Sequence, residues 1–385
     1  MEKQVSEKPI YFANLDILRF IAAFIVLFAH AYEGYCGWFG IPQSLAASDP
    51  KQFSYAGGFV NQFIRNGGFG VDLFFMISGF LITFILIKEK QKTGTVNFPK
   101  FFMRRAIRIW PVYFLAIALA PLAIHLAKSP STPDYWANIF FYNNFHAIYL
   151  NDTWEYPFAH FWSICVEEHF YLIWPLLIAF VPLKHLKNTF FILLTATVFF
   201  RLYAFLNHWN GLELYLNTFA RIDILIVGAM FALYFSNNQL KLSLTKVQRL
   251  CLYLIFIALF STQAVYETSN VVQTLFAKYV FCLIAGIGMV YFIFSEEKLF
   301  KVPFRNILNY FGRISFGIYL FSNMLIPIIV QRFMYKWGTN NMWVYFFLNV
   351  FLSILISAIV YELYEKQFLK LKKYFEIIKT KRTDE

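Results

Sequence analysis

Apolar runs about twenty residues long recur along this chain of 385 residues. As an α-helix, a run of that length crosses the ~30 Å hydrocarbon core of a bilayer. Hydropathy places such runs at 13–32, 69–88, 107–127, 158–181, 189–206, 215–235, 250–266, 271–294, 307–331 and 343–364. We therefore predict an all-α integral membrane protein, a bundle of about ten transmembrane helices. The segment 135–150 is apolar but carries several amides and imidazoles, and we interpret it as re-entrant or interfacial.

Composition agrees with a membrane protein. Hydrophobic residues make up 59% of the chain and charged residues only 15%, whereas a soluble domain is about one quarter charged. We expect a single domain over 1–385, embedded in the membrane over about 13–364 and ending in a basic tail at 365–385. The polar start has no small-residue cleavage site after its apolar run, so we expect the first helix to remain as an anchor.

The distribution of charge predicts an orientation. If the N-terminus lies inside and the spans alternate, the inside segments hold 24 of the 34 Lys and Arg residues and the outside loops hold five. This asymmetry follows the positive-inside rule and places both termini in the cytoplasm. It also accounts for the net charge of +12 without a nucleic-acid partner, because basic loops can face anionic membrane lipid. We expect a multi-pass protein of the cell inner membrane.

Four cysteines are present, and their spacing suggests neither a disulfide framework nor a metal site. We therefore expect no bound metal.

Arg19 and His30 stand eleven residues apart on the first predicted helix. Eleven residues is about three turns, so both side chains share one face roughly 16 Å apart. A guanidinium can anchor an anion, and an imidazole can accept a proton near neutral pH. Alternatively, Arg19 extends to the interface as an anchor and His30 is an interfacial histidine.

Arg105 and Arg108 lie three residues apart at the inner rim of the third helix. At that spacing two guanidiniums share a face and could clamp a phosphate. The alternative is positive-inside anchoring, which needs only positive charge.

Glu167 and Glu168 lie deep in the fourth helix, near Ser163 and Tyr171. Two carboxylates at lipid depth need partners, and we expect an ion pair with one of the arginines inside other spans. These arginines are Arg201, Arg221 and Arg313. Two interpretations remain open. The carboxylates either belong to a structural ion-pair network, or they line a cavity in which one of them acts as an acid or base.

Further polar residues fall inside the predicted spans, where they are costly and usually face the bundle interior. Asp72 begins the second helix, where the helix dipole alone could explain a carboxylate. Together these residues predict a polar central cavity: Asp72, Ser78, Ser163, Arg221, Asp223, Arg313 and Tyr319.

Six motifs in order along nearly the whole chain resemble the acyltransferase 3 family of multi-pass membrane acyltransferases. The first runs from Leu15 through Asp16 to Arg19 and is completed by His30. The others are Gly70 to Ile82, Arg105 to Pro111, Trp162 to Leu172, Arg221 to Gly228 and Ile314 to Leu320. On this basis Asp16 joins the cavity residues.

Three positions depart from the family patterns. Ile17 stands in place of glycine, His169 in place of glutamine, and Ser322 where a late histidine is common. We expect no fused esterase-like SGNH domain.

The resemblance implies an acyl-CoA donor on the cytoplasmic side and an acceptor hydroxyl in the membrane or at its outer face. We predict an O-acyltransferase, most simply an O-acetyltransferase, acting on a surface polysaccharide or lipid-linked glycan. His30 would be the general base, Arg19 a candidate for oxyanion stabilisation, Glu167 and Glu168 further candidate catalytic residues, and Arg105 and Arg108 the CoA site. The alternatives are a secondary transporter or flippase, which predicts inverted repeats that the sequence does not show, and a structural subunit of a glycan-assembly complex.

Overall fold

The computed structural model describes residues 10–12, 14–38, 64, 66–150, 155–236, 244–262, 275–276, 278–294, 303–378 and 380–381. The first half of the bundle consists of α1 (Leu15–Trp38), α2 (Phe69–Thr93), α3 (Phe98–Ala127), α4 (Tyr135–Ile139), α5 (Asn143–Tyr149), α6 (Trp162–Phe180) and α7 (Leu186–Leu206). The second half consists of α8 (Gly211–Leu216), α9 (Thr218–Ser236), α10 (Lys246–Thr262), α11 (Lys278–Phe294), α12 (Arg305–Arg313), α13 (Ser315–Ser322), α14 (Ile326–Trp337) and α15 (Met342–Val360).

Helix α2 is the central element. Its apolar window is 78% buried, against 22% for α7 and for α15, which expose apolar side chains at the periphery. Gly79 of α2 faces the carbonyl of Leu225 on α9, and Gly228 of α9 faces the carbonyl of Met76 on α2. A Cβ at either glycine would lie about 2 Å from that oxygen, so small residues permit this close crossing.

Seven segments among the described residues are long and apolar enough to cross a membrane. They are Leu15–Trp38, Asn66–Thr93, Phe98–Ala127, Ala159–Phe180, Leu183–Leu206, Thr218–Ser236 and Met342–Phe375. This confirms an all-helical protein with several spans. The predicted spans at 250–266 and 271–294 lie partly outside the described residues. Their described parts belong to α10 and α11, which have 17 residues each. The figure of about ten stays a prediction.

The predicted span 307–331 is wrong as a single helix. The chain forms α12, α13 and α14 instead, and α13 and α14 meet at 61° across a short break. Pro327 lies in the first turn of α14, where a missing N–H is tolerated. The bend is held from outside, because the Tyr156 hydroxyl donates to the Met324 carbonyl at 2.6 Å. If the bent pair counts as one span, the described spans number eight.

The segment 135–150 forms two short helices, α4 and α5, and not a membrane span. Their amides have internal partners: Asn144 donates to the Leu216 carbonyl and to the Thr218 hydroxyl, and Asn143 donates to the Phe158 carbonyl. The amides that made this segment unusual in the sequence therefore tie it to α8, α9 and the turn before α6.

The two described chain ends lie side by side. Ile10–Tyr11 pairs in parallel with Thr380–Lys381 as a two-residue ladder. Below it, Arg104 of α3 pairs with Glu89 of α2 at 3.1 Å and donates to the Phe375 carbonyl at 2.7 Å. The C-terminal segment after α15 therefore packs against the rim of α2 and α3. The cytoplasmic position of the basic tail at 365–385 stays a prediction.

Candidate functional site

Three arginines open into one small cavity between α1, α2, α3, α6 and α13. Its volume is about 100 Å³, and we call it the arginine cavity. Its polar lining residues are Arg19, Ser78, Arg105, Arg108, Ser163, Glu167, Tyr171, Ser315 and Tyr319. Seven of the predicted site residues thus come together here: Arg19, Ser78, Arg105, Arg108, Ser163, Glu167 and Tyr319. The structure brings the predicted cofactor-binding pair, Arg105 and Arg108, to the same cavity as Arg19.

The three arginines differ in their partners. Arg19 pairs with Asp16 at 3.1 Å, and Arg108 pairs with Glu365 from the segment after α15 at 3.0 Å. Arg105 makes no hydrogen bond or ion pair with any described residue, and its Nε is buried without a partner. Its guanidinium packs over the rings of Phe101 and Tyr171 about 6 Å away. Arg105 is therefore available to an anion without displacing a protein carboxylate.

The carboxylate of Glu167 is held in this cavity by hydroxyl groups. The Ser78 hydroxyl donates to Glu167 at 2.7 Å, and the Tyr171 hydroxyl donates to Ser78 at 3.2 Å. Glu168 points elsewhere and accepts a bond from the Trp110 indole at 3.3 Å. Of the two predicted catalytic carboxylates, only Glu167 lines the cavity.

The expected ion pair between these carboxylates and an arginine of another span is wrong for the described residues. Arg221 pairs with Asp72, and Arg201 pairs with Asp223. Asp223 also lies 3.6 Å from the Lys278 ammonium. These pairs join α2 to α9 and α9 to α7 and α11, and none of their members lines either of the two cavities. Arg313 packs over the Tyr310 ring, also away from both.

A second and larger cavity, of about 630 Å³, lies at the other end of α1. We call it the histidine cavity, because His30 and His160 both line it. Its other polar lining residues are Glu33, Trp162, Tyr215, Tyr319 and Asn323. Asn323 reaches the lining from the break between α13 and α14. The mixture of aromatic and hydrogen-bonding groups is typical of a site for a polar organic ligand.

The two cavities share a wall. Val71 and Tyr319 line both. The Tyr319 hydroxyl donates to the His160 carbonyl at 2.7 Å and lies 2.6 Å from the Ser163 hydroxyl. Arg19 and His30 therefore open on opposite sides of this wall, three turns apart on the same helix. The structure thus shows two cavities, and a single continuous central cavity stays a prediction.

Sequence reasoning missed His160, Glu33 and Tyr215. His160 precedes Ser163 by one turn, in the short helical turn before α6, and its position in a polar run was the available signal. Glu33 follows His30 by one turn on α1, so helical periodicity could have found it. Tyr215 lies on α8, whose approach to the cavity depends on tertiary packing alone.

The departures from the family patterns have structural partners. The His169 ring contacts the Thr218 hydroxyl at 2.9 Å, outside both cavities. The Ser322 hydroxyl donates to the Tyr319 carbonyl at 3.3 Å and is buried. Within the described ranges, no group of three or more His, Cys, Asp and Glu side chains is placed to hold a metal ion.

Comparison with known proteins agrees with the motifs. The chain is 26% identical over 311 residues to a protein of Staphylococcus aureus strain COL provisionally named an O-acetyltransferase, covering 74% of this chain and 50% of that protein. It is 28% identical over 199 residues to the O-acetyltransferase OatA of Staphylococcus aureus strain NCTC 8325, covering 48% of this chain and 33% of OatA. The chain thus spans half or less of the length of these relatives. No solved structure matches.

A family model described as an acyltransferase domain matches residues 12–362, which include both cavities and every helix from α1 to α15. The chain therefore belongs to the acyltransferase 3 family.

Proposed function

We propose that this protein is a membrane O-acyltransferase. It takes an acyl group, most simply acetyl, from acyl-CoA at the arginine cavity and transfers it to a hydroxyl in the histidine cavity. The observation that carries the proposal is that two residues of the same helix, α1, line two different cavities. Arg19 opens into a cationic cavity, His30 opens into a larger mixed cavity, and Val71 and Tyr319 line both.

The arginine cavity supports an anionic donor. Arg105 makes no hydrogen bond or ion pair with a described residue, and a planar guanidinium suits a phosphate oxygen pair. A cavity of about 100 Å³ is much smaller than the pockets that enclose whole cofactors. The nucleotide of CoA would therefore remain at the rim by Arg105 and Arg108, with the pantetheine arm and thioester reaching inward. The positive-inside asymmetry supports a cytoplasmic position for this rim.

The histidine cavity supports the acceptor. His30 would accept the proton of the acceptor hydroxyl as its oxygen attacks the thioester carbonyl. The carbon–sulfur bond then breaks, and the proton passes from His30 to the departing sulfur of CoA. A donor near the wall, Arg19 or the Tyr319 hydroxyl, would stabilise the oxyanion. In the alternative with an acyl-histidine, Nε2 of His30 attacks the thioester carbonyl and the CoA thiolate leaves. The acceptor hydroxyl then takes the acyl group from His30, and its proton passes to the thiolate.

The relatives' names say that they transfer acetyl to oxygen, and the chemistry of the histidine cavity suggests the acceptor class. Aromatic faces beside a carboxylate and an amide suit a sugar ring, which presents apolar faces and many hydroxyls. We propose a surface polysaccharide or lipid-linked glycan at the outer side of the cell inner membrane. The termini would then both lie in the cytoplasm.

The bent pair α13–α14 favours a second candidate, because transporters and flippases commonly place broken helices at their binding sites. One experiment separates the candidates. Purified protein in proteoliposomes is supplied with acetyl-CoA and a soluble sugar acceptor, and both free CoA thiol and acetylated sugar are measured. Release of thiol with matching sugar acetylation supports the transferase. Sugar or lipid movement without thiol release contradicts it.

A further inference from the structure

We propose that His160 is a positioning residue that fixes the tautomer of His30 and so prepares His30 to act as the base. The inference rests on the proposed function, in which His30 accepts the proton of the acceptor hydroxyl. It starts from two buried ring nitrogens. Nδ1 of His30 and Nδ1 of His160 are both inaccessible to solvent, and neither has a hydrogen-bond partner among the described residues. Leaving a buried polar atom unpaired costs free energy, so such an atom needs an explanation, and a role in function is one.

The protein fixes the tautomer of His160. Its Nε2 lies 2.9 Å from the carbonyl oxygen of Leu320, and a carbonyl can only accept. Nε2 therefore carries the proton, and Nδ1 is an unprotonated acceptor. The ring is buried at 3% exposure, and its backbone carbonyl is held by Tyr319. His160 thus presents a fixed lone pair on a nitrogen that solvent does not reach.

His30 needs such an acceptor. Its Nδ1 is buried, so the nitrogen that faces the histidine cavity is Nε2. Nε2 can accept a proton only if the neutral ring carries its hydrogen on Nδ1. That Nδ1–H requires a partner, and the unprotonated Nδ1 of His160 is the complementary group.

The rings are close enough for the pair to form. Their centroids lie 6.3 Å apart at an interplanar angle of 66°. Two imidazoles joined by an N–H···N bond of ~2.9 Å have centroids roughly 5 Å apart. A closure of about 1 Å would complete the bond, and catalytic hydrogen bonds commonly tighten when substrate binds. The proton taken from the acceptor stays on Nε2 of His30, and His160 orients the ring and receives no proton.

A matched pair of substitutions separates this role from a structural one. The amide of His160→Asn lies where Nδ1 was, so it keeps an acceptor toward His30 and loses the bond to Leu320. The amide of His160→Gln lies where Nε2 was, so it keeps the Leu320 bond and loses the acceptor. We expect His160→Gln to lower kcat on the order of a hundredfold with an unchanged KM for acetyl-CoA. We expect His160→Asn to stay within about tenfold of the wild type. The reverse order would show that His160 only supports α13 and would overturn the proposal.

A second readout does not depend on turnover. Nitrogen-15 spectra of histidine-labelled protein in nanodiscs report which ring nitrogen carries hydrogen, and the chain has seven histidines to assign. The His30 signal, identified by its loss in His30→Ala, should show the Nδ1–H form in wild type and a mixture in His160→Gln. An Nε2–H form of His30 in wild type, or one unchanged by His160→Gln, would refute the pairing. If wild type released no CoA thiol, the proposed function would fail, while these spectra would still decide the histidine pair.

Discussion

Arginine-to-lysine exchange at the arginine cavity tests the donor site most directly. Lysine keeps the positive charge that membrane insertion needs but loses the planar fork that can hold two phosphate oxygens. Arg105 has no hydrogen bond to any residue that the structure describes, so its exchange should affect the ligand more than the fold. Arg108 already holds Glu365 at 3.0 Å and must share or exchange that contact with a phosphate. We therefore expect Arg105→Lys to carry most of the effect.

The magnitude follows from the bonds at stake. A hydrogen bond to a charged group contributes about 1.5–3 kcal/mol, and ~1.4 kcal/mol corresponds to a tenfold change in affinity. The double variant of Arg105 and Arg108 should raise the KM for acetyl-CoA by roughly tenfold to a hundredfold. The assay is release of CoA thiol from acetyl-CoA by protein in proteoliposomes, over a range of donor concentrations.

Arg104→Lys is the matched control. Arg104 neighbours Arg105 in the sequence, but it bonds Glu89 and the Phe375 carbonyl and does not line the cavity. Its exchange should lower thermal stability and leave the KM for acetyl-CoA unchanged. An unchanged KM in the double variant would refute the donor site, and so would an equal rise in Arg104→Lys. The arginine pair would then be only a membrane anchor.

Four further outcomes are expected. His30→Ala should abolish transfer while the protein inserts normally, and His125→Ala, at an exposed position of α3, should keep full turnover; substantial turnover in His30→Ala would remove it as the base. Glu167→Gln, in the lining of the arginine cavity, should lower kcat in the thiol assay, whereas Glu168→Gln should lower only the yield of folded protein. Equal effects on kcat would mean that a place in the cavity lining does not decide which carboxylate matters. Asp72→Asn leaves Arg221 buried with reduced compensation and should cost about 3–5 kcal/mol of stability, measured by thermal melting, and an unchanged melting temperature would show that the pair is dispensable. Single cysteines in 89–104 and the C-terminal tail should react only from the inside, and those in 33–68 and 128–157 only from the outside, so a reversed pattern would overturn the orientation and the donor assignment together.

The helical class of the protein and several site residues could be predicted from the sequence, because a bilayer requires long apolar helical segments. Long apolar runs have few alternatives to helix, and the three-turn spacing of Arg19 and His30 follows from helix geometry alone. The division of these two residues between two cavities could not be predicted. It depends on Tyr319 and on the break after α13, where Asn323 enters the histidine cavity. Hydropathy averages over such a break and reports one continuous run.

The sequence also could not predict which buried arginine pairs with which buried carboxylate. Any of three arginines could have paired with Glu167 by charge and depth, but the crossing of α2 and α9 placed Asp72 beside Arg221. His160 was overlooked for a related reason. A histidine at the start of an apolar helix looks like an interfacial residue, and only its unpartnered ring nitrogen distinguishes it.

The partners of the buried polar groups separate the groups that build this protein from those available for chemistry. Asp72, Arg221, Asp223 and Arg201 neutralise one another between helices, so changing one leaves another charge exposed to a medium that cannot solvate it. Within the described part of the chain, Arg105 and His30 have no such partner, and both line cavities. A ligand can therefore satisfy them without breaking an existing pair. Leaving Arg105 unpaired costs stability in the free protein, and under the proposed function a donor phosphate would recover part of that cost.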